Sequence, residues 1–173
     1  MLRTTDPMQF RTLKPLYEQR IATPFGPCYL DGNFSIAASG GETGGIWPGM
    51  VAAGPIASNP TVVKIANSAS DSFFGLFTHN CNTIIDELNN GRLVTAVWNG
   101  YHSCWRIYQP AYNADASYAV PTDGTEELLT WDAMGRLVPD SDGDAVGQMA
   151  VAKLIGVGVN FIDVQLIYRD ISA

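Results

Sequence analysis

The chain has 173 residues, 46% of them hydrophobic and only 16% charged, with a net charge of −7. That length suits one domain with a substantial core, and the acidic balance excludes general nucleic-acid binding. So few charges leave much of the surface uncharged, as in a protein that partners partly cover.

Residues 1–45 differ in texture from the remainder. MLRTTDPMQF lacks the apolar run of a signal peptide, and no later run approaches the roughly 20 residues of a membrane span. No membrane partner is therefore expected. Prolines 7, 15, 24 and 27 interrupt any helix beyond two or three turns, leaving room for a short turn around Leu16 to Ile21. DGNFSIAASGGETGG is glycine-rich and reads as loop. Arg3, Arg11, Lys14 and Arg20 against Asp6 and Glu18 leave residues 1–20 at +2, on a body at −9. An extended N-terminal arm over 1–45, contacting something other than its own surface, is the expectation.

From Ile46 onward, short apolar runs alternate with turn residues. TVVKIA (61–66), FFGLFT (73–78), LVTAVW (93–98), CWRIYQ (104–109) and FIDVQLIY (161–168) are strand-like. In the last, Ile162, Val164, Leu166 and Tyr168 share one face, and Asp163 and Gln165 the other. NTIIDELNNG (82–91) is the one helix candidate, capped by Asn82 or Thr83 and stopped at Gly91. The expected fold is mainly β, a single small β-sandwich or barrel-like domain over 46–173 with one short helix.

Candidate chemistry is sparse. Asp140, Asp142 and Asp144 alternate as in a calcium loop, but Gly143 falls one place early and Val151 stands where the last ligand is needed. An acidic turn after the short strand of MGRLVP is the better reading. His79-Asn-Cys81 and His102-Ser-Cys104 would offer a zinc set if two strands brought them together, although their spacing is not that of structural zinc sites. The three cysteines, Cys28, Cys81 and Cys104, match no disulfide framework and read as reduced thiols of a cytosol-made protein. No nucleophile elbow or phosphate loop is present, so neither an enzyme nor a cofactor is expected. Trp47, Trp98, Trp105 and Trp131 permit a carbohydrate-binding face, but core or interface anchoring is the commoner use.

GGIWPGMVAAG, FFGLFTHNCNTIIDELNNG, AVWNGYHSCWRIYQPAY and GRLVPDSDGDAVGQM…FIDVQLIY together resemble segments of bacteriophage capsid decoration (cement) proteins. In that pattern a glycine-led strand (Gly135–Val138) precedes an acidic turn (Asp140–Asp144), then Val146–Gly147 and the last strand. The resemblance spans roughly 45–170. It implies a β-tulip or barrel-like fold, no catalytic residues, and trimers or similar clusters seated on the major capsid protein. It also implies a place on the outer capsid surface of the virion, after assembly in the host cytoplasm. On that reading Arg3, Arg11, Lys14 and Arg20 of the arm would pair with acidic surface. Leu13, Leu16, Tyr17 and Phe25 would fill apolar grooves. The competing classes are a carbohydrate- or receptor-binding module of a phage head fibre, and a small metal-binding or cysteine enzyme built on His79, Cys81, His102 and Cys104.

Overall fold

The computed structural model describes residues 14–15, 24–30, 46–54, 62–77, 93–97 and 103–170, with backbone alone at 14–15, 24–30, 62, 93–97 and 168–170. Among these residues every regular element is a strand: β1 (Lys14–Pro15), β2 (Pro24–Leu30), β3 (Val51–Ala53), β4 (Val62–Ile65), β5 (Phe73–Phe77) and β6 (Leu93–Val97), followed by β7 (Cys104–Tyr108), β8 (Leu128–Trp131), β9 (Leu137–Pro139), β10 (Met149–Val157) and β11 (Phe161–Asp170). The five strands expected from apolar runs are present, and β9 is the strand of MGRLVP. The expected helix over 82–91 lies outside the described residues.

The strands form two units. One is a closed barrel in the order β2-β4-β3-β5-β6, with β2 and β4 parallel and the other pairs antiparallel. Closure leaves no unpaired edge. The other is a six-stranded antiparallel sheet in the order β1-β7-β11-β10-β8-β9. One continuous core joins them: Val51, Ile65, Leu76 and Phe77 from the barrel pack in the same cluster as Trp105, Ile107, Leu129, Trp131 and Val164 from the sheet. Hydrogen bonds between described residues also tie the units together. Val51 N–H donates to Gly135 O at 2.8 Å, and the Trp131 indole donates to Ser68 O at 3.2 Å.

The segment 1–45 contributes to both units. β1 pairs with β7 at Lys14↔Arg106 and Pro15↔Trp105, and β2 lies between β4 and β6.

Three strands of the later chain, β3, β8 and β10, were not legible as apolar alternation. The reason is burial on both faces combined with bulges. All of Val51–Ala53 is buried, as are Leu129, Thr130 and Trp131. β10 carries an extra residue at Ile155, where its pairing with β11 slips between Leu154 and Gly156. The alternation in β11 holds for Ile162, Val164 and Leu166, which are buried, with Asp163 and Gln165 half-exposed. A second slip, opposite Ala150/Ala152, follows Leu166, and Ile167 is buried as well. The expected fourth member of that face, Tyr168, has its side chain outside the described ones.

Candidate functional site

The turn between β8 and β9 docks the sheet onto the barrel. The Asp132 carboxylate is buried and accepts from the Met134 and Arg136 amides, each at 2.9 Å, and from Arg136 Nε at 2.7 Å. Gly135 has a φ of +77°, a conformation glycine tolerates best, and a Cβ there would collide with Ile65 of the barrel. Sequence reading expected a glycine-led strand here, but not that the fit of Gly135 against Ile65 joins the two units.

Asp140–Asp144 forms a turn, with Asp142 N–H donating to Pro139 O and Ala145 N–H to Asp142 O. Asp142 Oδ1 accepts from Asp144 N–H at 2.9 Å within the turn, and Asp144 Oδ2 accepts from Asn113 Nδ2 at 3.1 Å, tying the turn to the segment after β7. Between residues 113 and 144 eight acidic residues stand against Arg136 alone, so this stretch of the chain is strongly negative. Burial, and then the nearby Asp140, push the Glu127 carboxyl above its ordinary 4.5. Among the described residues no three of His, Cys, Asp or Glu converge as metal ligands.

The hairpin joining β10 and β11 has a different character. Gly158 N–H donates to Phe161 O at 2.9 Å, closing a tip made of Gly158, Val159 and Asn160. Val159 is 92% exposed and Val157 50%. Just behind the tip, Arg106 of β7 binds Asp163 of β11 through two 2.8 Å bonds, Nε to Oδ1 and Nη2 to Oδ2. The same guanidinium lies 3.9 Å from the Phe161 ring centroid, and Tyr108 meets Phe161 edge-on at 6.0 Å. These side chains come from directly paired positions, Tyr108↔Phe161 and Arg106↔Asp163. Gly156, opposite Asp163, leaves space for the carboxylate, since a Cβ there would lie 3.2 Å from Asp163 Cβ and Oδ2. Sequence reasoning missed this tip. The available signal was Gly158 and Asn160 inside an otherwise apolar run.

Of the sequence-predicted contact residues, Lys14 lies in β1 and Phe25 in β2, where it pairs with Ala96 of β6. Their side chains are outside the described ones, as are Arg3, Arg11, Leu13, Leu16, Tyr17 and Arg20 altogether. His79, Cys81 and His102 also lie outside the described residues, and Cys104 is buried in β7. Trp105 and Trp131 are core side chains, with their indole N–H groups donating to Ser103 Oγ and Ser68 O. Trp47 packs half-buried against the core, and Trp98 is not among the described residues.

No curated protein and no solved structure matches the chain. A family model described as phage cement protein, however, matches residues 1–173. A β-built molecule whose described acidic groups largely serve its own turns and strand pairs agrees with that match over its full length, and the chain belongs to the phage cement protein family.

Proposed function

We propose that the protein is a structural component of a phage virion that binds the outer surface of the head and stabilises contacts between major capsid protein subunits. The whole-chain family match carries this reading. The physical character of the chain supports it, since a cement acts through surface rather than chemistry, and a sparsely charged exterior suits broad protein contact. Within this proposal the protein works as a homotrimer of β-tulip-like subunits. Part of the 1–45 segment reaches across neighbouring subunits, where Arg3, Arg11 and Arg20 meet acidic surface and Leu13, Leu16 and Tyr17 enter apolar grooves, while Lys14 and Phe25 belong to β1 and β2 of the fold itself. Repetition over a symmetric shell would offset the ordering of such a segment through effective concentration. The alternative of a sugar-binding module loses two of its four tryptophans, because Trp105 and Trp131 are buried.

The test uses heads assembled without the protein. Added protein is expected to co-sediment in a fixed ratio to the major capsid protein and to raise the temperature at which heads release DNA. Failure to co-sediment would overturn capsid binding. Saturable binding with an unchanged release temperature would overturn stabilisation alone.

A further inference from the structure

The tip of the β10–β11 hairpin departs from the rest of the described surface. Val157 and Val159 are two of only three exposed large hydrophobic residues among those described, the third being Val120. Single exposed valines are ordinary. Two within three residues, Val157 at the end of β10 and Val159 on the turn, braced from behind, are not. The brace is the paired set of Arg106, Asp163, Phe161 and Tyr108, which holds the hairpin stiff close behind its exposed end. The approach of the Phe161 ring to Gly158 leaves no space for a side chain there, so the turn is packed as well as hydrogen-bonded. Such pre-ordering lowers the entropy lost when a protruding element docks. Charge sets the tip apart too: Leu154 to Ile162 contains no charged residue, whereas 113–144 holds eight acidic ones.

We propose that this hairpin tip is an apolar anchor that inserts into the outer surface of the major capsid protein shell. The inference rests on the capsid-binding reading above and names a surface for it. Two tips meeting each other would fall far below the roughly 1,200 Å² of a specific interface, and insertion into another face of a second copy is told apart by native mass in the test below. A shell bound at several points accepts a small anchor, since linked contacts raise its effective concentration. Leu154 to Ile162 also carries no charge that docking would have to desolvate or bring against like charge.

The experiment compares the full-length protein with Val159→Asp, the gentler Val159→Ser and the control Val120→Asp in co-sedimentation titrations with undecorated heads. Thermal melting of each free protein and its native mass are measured alongside. Val159→Asp is expected to bind about tenfold or more weakly, a loss in keeping with exposing one apolar contact to a charge. Val159→Ser should fall between it and the parent, and Val120→Asp should bind like the parent, all with unchanged melting. Parent protein that does not bind heads would overturn the capsid-binding reading itself. Parent binding that Val159→Asp leaves intact would overturn the anchor alone. If Val159→Asp instead dissociates a self-assembled oligomer, the tip belongs to a contact between copies and the capsid assignment falls.

Discussion

Asp132 has its carboxylate taken out of water yet fully matched, by two amides and a guanidinium. Removing one partner of such a set leaves the other charge buried without compensation. Asp132→Ala is therefore expected to lose about 3–5 kcal/mol in urea melts. Asp132→Asn keeps an oxygen for the Met134 and Arg136 amides and should lose less. Glu127 acts in the opposite sense. Its carboxyl is raised above 4.5 by burial and by Asp140, so the folded state disfavours its ionised form. Its contribution to stability is present below the unfolded value and is lost as pH rises through the folded one. Glu127→Gln should accordingly melt higher than the parent at neutral pH, and the gap should close below pH 4.5 when melting temperature is followed against pH.

Among elements, β11 shows most directly what alternation accomplishes. It is paired by β10 over most of its length and by β7 over Phe161–Gln165, and its buried face supplies Ile162, Val164 and Leu166 to the core shared with the barrel. Leu166→Ala is expected to cost about 2–5 kcal/mol, because the surrounding sheet cannot collapse into the space. Gln165→Ala, on the half-exposed face, should cost about 1 kcal/mol or less. Equal losses at the two positions in urea melts would show that this register of β11 is wrong. The slips opposite Ala150/Ala152 and at Ile155 have a wider consequence, because each moves later side chains to the other face. The slip opposite Ala150/Ala152 falls directly after Leu166, where Leu166 and Ile167 are both buried.

For the molecule as a whole, the question is which part of the 1–45 segment belongs to the fold and which to a partner. β2 is a barrel strand, so its loss would open the barrel, whereas β1 adds two residues at the edge of the larger sheet. Deletion of residues 1–12 separates the two roles. It is expected to leave the melting temperature of the free protein nearly unchanged. It should weaken attachment to heads about three- to tenfold, the scale of removing Arg3 and Arg11 from exposed pairs worth about 0–1 kcal/mol each. A truncated protein that attaches at full affinity would remove these residues from the proposed contact.

Composition and local pattern alone determined that the chain is mainly β, that 61–66, 73–78, 93–98, 104–109 and 161–168 carry strands, and that Asp140–Asp144 is a turn. Each of these depends on near-neighbour physics: side-chain alternation on a pleated backbone, and the preference of Asp and Gly for tight turns. The family resemblance was legible for the same reason, being carried by short contiguous segments around those strands. Only the tertiary structure decided that strands far apart in sequence close into a barrel beside an open sheet, with one core between them. It alone showed Gly135 packed against Ile65 across that boundary, and Arg106, Asp163 and Phe161 gathered behind an exposed Val159. Such contacts join residues tens of positions apart, and β8 and β10 escape notice because burial on both faces and bulges erase the period of two that marks a strand.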